Sequence, residues 1–369
     1  MEESMKKILK IALTATAFAV TVSFAGISTL SADSLTVVSW GGSYTKSQVE
    51  AYHKPFMKKT GIKINSEDYN GGMAQVKAQV ESGKVVWDVV DLEYHDVVRG
   101  CDEGLLEEMD LSMLPPAPDG TPAKQDFIKG TLHECAVATI VWTTIYAFDK
   151  TKFKGMVPKT MADFFNIATF PGKRAMRKKP KSNLEMALMG DGVRAEDVYE
   201  MLSTKAGVDR AFRKLDTIKD HMVWWEAGAQ PPQLLADGEV AMATAYNGRI
   251  FNAVATENKP FEIVWDGQVW DLDLWAIPKG AKNKANAMKF IAYSTDTKRL
   301  ADQASWISYG PARKSSASMI GNHAISGVNM LPHMPTAPAN FKNALKNDFE
   351  FWADHDDELT ERFNNWLAK

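Results

Sequence analysis

The sequence predicts an α/β protein of two lobes joined by crossing strands, and three observations carry that prediction. Short β-rich runs alternate with helically spaced apolar residues through the first third of the chain, the pattern of βαβ units on a mostly parallel sheet. One β-rich run, Cys135 to Phe148, is too long for a typical strand of about 5–6 residues. It reads as a strand that leaves one lobe and enters the other. The chain has 369 residues, too many for one ordinary domain and comfortable for two lobes.

The elements come in this order. Leu35–Ser39 reads as the first strand and ends at Gly41-Gly42. Val49, Tyr52 and Phe56 then recur at helical spacing up to Gly61. Ile62–Ile64 is the second strand. Met73, Val76 and Val80 mark another helix, and Trp87–Leu92 is the third strand. Leu114–Pro122 is rich in Pro and Gly and reads as a loop. Beyond the crossing, Met161–Ile167, Ala195–Leu202 and Gln233–Ala236 read as helices, and Arg174–Met176, Val223–Trp225 and Val240–Ala245 as strands. Gly267–Pro278 reads as the return crossing, followed by helices at Ala285–Tyr293 and Lys298–Gln303. Phe341, Leu345, Phe349 and Trp352 repeat at helical spacing, as do Leu359, Phe363 and Trp366, and predict amphipathic helices packed on the body.

Composition limits the function. Net charge is -3 and the sequence pI is about 6.2, so no basic field is available for nucleic acid. Lys6, Lys7 and Lys10 precede an apolar stretch from Ile8 to about Leu30, and small residues come after it. That is the layout of a secretory signal peptide over residues 1–32, with cleavage after Ala32 or Ala25. Its Thr and Ser content argues against a retained membrane anchor. Cys101 and Cys135, the only two cysteines, both lie in the exported part and suggest one disulfide. The sequence lacks a G-x-S-x-G elbow, an H-E-x-x-H pair and a phosphate-binding G-x-x-x-x-G-K-[ST] loop, and its seven histidines lack metal-ligand spacing. A non-enzymatic protein without cofactor or metal is expected.

In open α/β sheets ligands bind beyond the carboxyl ends of the strands. There the sequence places Trp40, Gly41, Gly42, Ser43 and Tyr44, then Glu93 and Tyr94, then Glu226, then Tyr246 and Asn247. Trp270, Asp271, Asp273 and Trp275 lie near the return crossing. Aromatic faces attract a cation and carboxylates hydrogen-bond it, so this set suits an ammonium group.

The runs Val38-Ser-Trp-Gly-Gly-Ser-Tyr44, Thr60-Gly-Ile-Lys-Ile64, Trp87-Asp-Val-Val90 and Glu103-Gly-Leu-Leu-Glu107 resemble the spermidine/putrescine-binding family of extracellular solute-binding proteins. Asp237-Gly-Glu-Val-Ala241, Trp275-Ala-Ile-Pro-Lys-Gly280 and Ala287-Met-Lys-Phe-Ile291 extend the likeness over nearly the whole exported part. The resemblance implies a type II periplasmic-binding-protein fold, with two mixed sheets flanked by helices and two hinge crossings. On it, residues 33–142 and 274–369 form lobe 1 with the C-terminal helices, and 143–273 form lobe 2. It implies that Trp40, Tyr44 and Tyr94 wall the pocket, that Tyr246 stacks on the ligand, that Asp273 anchors an amine, and that Tyr309 is a late pocket tyrosine. Its partners would be a small solute and the membrane permease of an ABC importer, with the carrier a periplasmic monomer.

One stretch departs from the polyamine pattern. Where acidic residues would hold a second amine, this chain has Pro171-Gly-Lys-Arg-Ala-Met-Arg-Lys-Lys179. Arg174 or Arg177 facing the crevice would repel a diamine and clamp a carboxylate. With Asp273 at the other end, the site would suit a zwitterion such as γ-aminobutyrate, the ligand type of a related subgroup. Polyamines, and an anion held by Arg174, Arg177 and the Gly41-Gly42 loop, are the other readings. Ferric iron is disfavoured, because Tyr309 lacks an adjacent tyrosine.

Overall fold

The computed structural model describes residues 34–369, so the expected signal peptide lies outside the described residues. The strands are β1 (Ser34–Ser39), β2 (Lys63–Asp68), β3 (Val89–Glu93), β4 (Leu132–His133), β5 (Ala136–Asp149), β6 (Arg174–Arg177), β7 (Met222–Trp225), β8 (Met242–Tyr246), β9 (Phe261–Ala276), β10 (Gly310–Pro311) and β11 (Ala344–Lys346). Their main path runs β2-β1-β3-β9-β5-β8-β6-β7. β1 pairs in parallel with β2 and β3, and β6 in parallel with β7 and β8. Between these parallel ends, β9 and β5 run antiparallel to their neighbours on this path and to each other, while β11 pairs in parallel with β9 off the path.

The two sheets expected from the sequence are thus hydrogen-bonded into one. The reason is the length of the crossings: β5 has 14 residues and β9 has 16, and they pair along nearly their whole length. Every residue of β5 is buried, as for a central strand covered on both faces. Its register with β9 shifts between Ala138 and Ile140 and again between Thr144 and Tyr146. Such irregularities bend a strand and re-aim its side chains. Trp142 sits between the two shifts.

Two large apolar cores flank the crossings. One gathers Leu35, Val37, Phe56, Trp275 and Phe290. The other gathers Phe148, Phe164, Met186, Phe212 and Trp352. A smaller cluster lies between them and takes aromatics from both halves: Tyr44, Trp142, Trp225, Tyr246 and Tyr309. No helix among the described residues is long and apolar enough to cross a membrane.

The C-terminus differs from the sequence expectation. Leu345 lies on β11, paired with β9, and the final helix runs Phe349–Leu367. Asp348 sets that start, because its carboxylate accepts from the Phe351 backbone N–H as an N-cap. The helical spacing from Phe341 to Trp352 therefore straddles a strand and a helix. The helix also straddles the cores: Phe349 stacks on Tyr94, while Trp352 and Phe363 enter the second core.

Cys101 and Cys135 form a disulfide. It ties the helix Tyr94–Asp102 to the residue preceding β5. With its cysteines 34 positions apart in the chain, loop-closure entropy assigns the bridge about 3–4 kcal/mol. Reduction, or the double change Cys101→Ser/Cys135→Ser, should lower stability by about that amount, read from the urea midpoint by tryptophan fluorescence.

Candidate functional site

The aromatics of the central cluster line a small cavity of about 20 Å³, room for about one water, where β1, β3, β5, β8 and β9 converge. Its aromatic lining is Trp40, Tyr44, Trp142, Tyr246 and Tyr309; its charged lining is Glu93, Arg249 and Asp273. The rings meet edge to face. Trp142 and Trp225 both abut Tyr246, with centroids 5.0 and 5.5 Å away. Tyr44 meets Tyr309 at 5.3 Å. Trp40 keeps its place because Gly71 has no side chain: a β-carbon there would lie 2.1 Å from the Trp40 ring.

A second small cavity of about 10 Å³ adjoins the first and shares Glu93, Trp142 and Tyr246 with it. Arg177, Lys181 and Trp225 line its far side. Larger hollows of about 560 and 630 Å³ lie near Trp366 and Tyr293. Their lysines and arginines sit at the surface, several of them in exposed ion pairs, and such pairs are solvated rather than waiting for a ligand.

The floor of the central crevice is a row of acids. Pairing of β3 with β9 places Glu93 directly across from Asp273, with Asp91 across from Trp275. All are buried, as is Asp271. Burial alone would push Glu93 up, but Lys181 and Arg177 hold its carboxyl well below the usual range. Lys181 Nζ lies 2.7 Å from Glu93 Oε2 and 2.6 Å from Asp271 Oδ2, and Arg177 donates to Glu93 Oε1 at 3.2 Å. Asp91 takes two neutral donors on its Oδ2, Ser39 Oγ at 2.8 Å and Gln48 Nε2 at 2.7 Å, while its buried Oδ1 lacks a partner, and burial raises it to about 7.

Asp273 differs. Trp142 Nε1 donates to it at 2.7 Å, yet among the described residues no cationic side chain forms an ion pair with it. Burial, then the like charges of Asp91, Glu93 and Asp271, push it well above the ordinary carboxylate range. Around it, buried donors lack partners: Trp40 Nε1, the Tyr44 and Tyr246 hydroxyls and Arg249 Nε. Unpaired buried polar groups are costly, and their gathering around one cavity marks a place built for a polar guest.

Arg249, on the helix Asn247–Glu257, donates to the Trp40 and Gly41 carbonyls at 2.9 Å each. Arg177 reaches the same loop region through the Asn70 carbonyl at 3.3 Å, with its guanidinium 5.8 Å from the Trp40 and Tyr246 rings. Both arginines therefore bridge the two halves of the molecule across the cavity.

Of the residues singled out in the sequence, the structure brings together Trp40, Tyr44, Tyr246, Asp273 and Tyr309 in the first cavity and Arg177 in the second. Four lie elsewhere. Arg174 begins β6, at the end away from the crevice, and spends its guanidinium on the carbonyls of Phe164, Phe170 and Gly172. Tyr94 turns away to stack on Phe349 at 4.2 Å. Ser43 lines an outer cleft with Gln233 and Asn252. Glu226 is exposed and faces Lys178 at 3.3 Å.

Trp142, Lys181 and Arg249 complete the site without standing out in the sequence, where Glu93 figures only as a strand end. Arg249 was reachable, since it falls three residues past the end of β8, where the strand-end rule applies. Trp142 hides inside an apolar run that reads as core, and Lys181 sits in a basic stretch that reads as surface.

Fold and site together define a type II periplasmic-binding protein, a binding architecture and not an enzyme. The chain belongs to the family of bacterial extracellular solute-binding proteins, whose pattern matches residues 51–336. It is 47% identical over 348 residues to the gamma-aminobutyric acid-binding protein of Pseudomonas aeruginosa, spanning 94% of this chain and 95% of that one. The PBP MotA of A. tumefaciens B6, solved in complex with glucopine, matches with a TM-score of 0.82 and 29% identity over 90% of this chain and 99% of MotA. A solved GABA receptor matches with a TM-score of 0.77 and 33% identity over 91% of this chain and 98% of the receptor.

The placement of Arg174 makes a clear prediction. Arg174→Met leaves two buried carbonyls, those of Phe164 and Phe170, without this donor and should lower stability by about 1–3 kcal/mol, read from the urea midpoint. Ligand affinity of the folded protein, measured by calorimetry, should stay at the wild-type value.

Proposed function

We propose that the chain is the substrate-binding protein of an ABC importer and captures γ-aminobutyrate, or a closely related ω-amino acid, as its zwitterion. One observation carries this reading: among the described residues Asp273 is a buried carboxyl with no cationic partner, set among aromatic faces and beside buried donors that lack acceptors. A ligand ammonium would supply the missing charge at Asp273 and lie against the rings of Trp40 and Tyr246. A ligand carboxylate would take the free donors of Arg249 Nε and the Tyr44 and Tyr246 hydroxyls. The ligand for which the P. aeruginosa relative and the GABA receptor are named agrees with that chemistry.

The competing ligands fit less well. A purely anionic solute would bring no positive charge to Asp273, which the chain leaves without one among the described residues. A diamine would bring its second ammonium against Arg249 or Arg177, where like charge repels. In this reading residues 33–142 with 274–369 form one lobe and 143–273 the other, with the final helix touching both cores. Closure brings Arg249 onto the Trp40–Gly41 carbonyls, so ligand binding favours the closed form. A periplasmic monomer that presents this closed form to a membrane permease completes the proposal.

Titration calorimetry tests it directly. Wild type should bind γ-aminobutyrate and give a melting-point rise in its presence, with no comparable effect of putrescine or succinate. Asp273→Asn should weaken γ-aminobutyrate binding by about 2–5 kcal/mol. Unchanged affinity in that variant would remove the anchor and the proposal with it.

The raised Asp273 also sets a pH dependence. Without ligand, Asp273 holds a proton below its raised pKa, and a bound ammonium favours the ionised form. Binding therefore releases a proton, and affinity should rise with pH until the medium passes the ligand-free pKa of Asp273. Binding heats that vary with the buffer's ionisation enthalpy would show the release; heats independent of buffer would contradict it.

A further inference from the structure

Three carboxylates face the crevice from β3 and β9: Glu93, Asp271 and Asp273. Glu93 and Asp273 stand directly opposite each other, an unfavourable cross-strand pair unless cations intervene. The chain itself supplies cations to two of the three. Lys181 Nζ meets Glu93 Oε2 at 2.7 Å, Asp271 Oδ2 at 2.6 Å and His95 Nδ1 at 3.1 Å. Three acceptors around one ammonium satisfy all three of its N–H donors. That is the coordination a primary amine of a ligand would require.

Lys181 also lies in the right place to be read as a ligand substitute. It lines the second cavity, which is joined to the first through Glu93, Trp142 and Tyr246. Its three acceptors sit on β3, on the helix Tyr94–Asp102 and on β9, while Lys181 itself comes from the turn before the helix Asn183–Gly190. The next residue, Ser182, is held at φ 67°, a left-handed conformation that costs a residue with a β-carbon and persists where surrounding contacts enforce it. Asn183 Nδ2 pins this turn through the carbonyls of Arg177 and Lys179. Stability is a weak reason to keep such a group, because buried ion pairs are often matched or exceeded by apolar packing.

We propose that Lys181 is a specificity-determining residue: its side chain is a tethered alkylammonium that fills a second amine subsite and restricts the ligand to a single amine. This rests on the preceding reading, in which Asp273 receives that one amine. Arg177 acts beside it, placing its guanidinium on Glu93 and near the Trp40, Trp225 and Tyr246 rings. With both cations in place, Glu93 and Asp271 are neutralised from within, and Asp273 remains for the solute.

The test uses the full exported chain with Lys181→Ala, which removes the propylammonium beyond the β-carbon. Thermal melts in n-propylammonium chloride are compared with sodium chloride at equal ionic strength, and putrescine and γ-aminobutyrate are titrated into variant and wild type. n-Propylammonium should raise the melting point of Lys181→Ala saturably and leave wild type unmoved. Putrescine should bind the variant at least about tenfold more tightly than wild type. Lys181→Met, which fills the space without the charge, should show neither gain. If Lys181→Ala is unfolded in plain buffer, recovery of native tryptophan fluorescence with n-propylammonium supports the proposal, and failure to recover overturns it. Equal melts in both salts, or rescue without any gain in putrescine binding, would also overturn it. Absence of γ-aminobutyrate binding by wild type would instead refute the preceding function, leaving the propylammonium rescue to report on Lys181 alone.

Discussion

The pairing of β3 with β9 sets Glu93 against Asp273 in the interior, and much of the site is arranged around that pairing. Two like charges at adjacent strand positions, both withdrawn from water, cannot stand without compensation. The chain answers on one side only. Lys181 and Arg177 reach across from the second half of the molecule and hold Glu93 ionised. Asp273 receives a neutral indole donor from Trp142 and no cation among the described residues. That asymmetry is the observation on which the proposed recognition of one positive group rests.

That arrangement depends on the long crossings. β5 and β9 carry residues of both halves in one ladder, so Trp142 and Asp273 keep fixed places while the parallel strands on either side contribute Trp40 and Tyr246 from opposite flanks. The register shifts in β5 bracket Trp142, where an ideal ladder would hold a different facing. The bridging arginines add contacts that exist only with the halves together: Arg249 on the Trp40 and Gly41 carbonyls, Arg177 on the Asn70 carbonyl.

The aromatic wall was legible in the sequence because it obeys a topological rule. Ligands gather beyond the carboxyl ends of strands, and Trp40, Tyr44 and Tyr246 lie at or just past such ends. Asp273 was legible through its position near the return crossing and through family likeness. Arg174 and Arg177 look equivalent in sequence, three residues apart in a basic run. The structure separates them because they stand at opposite ends of one short strand. The first is used up by backbone carbonyls, and the second enters the crevice. Tyr94 and Glu226 obey the strand-end rule and still face elsewhere, since the rule fixes a neighbourhood and not a side-chain direction.

By itself the sequence determined the α/β class, the chain order of the strands on the main path of the sheet, the long crossing and the aromatic and acidic character of the candidate site. These depend on local patterns: alternation of β-rich and helical runs, strand length, and the residue types just past each strand. Tertiary structure alone decided that the two sheets join into one, that the last helix begins at Phe349 and touches both cores, and that Lys181 meets Glu93 and Asp271. Charge compensation is a matter of distances between residues far apart in the chain. No local pattern can report which lysine meets which carboxylate, and that meeting is what leaves Asp273 unpaired.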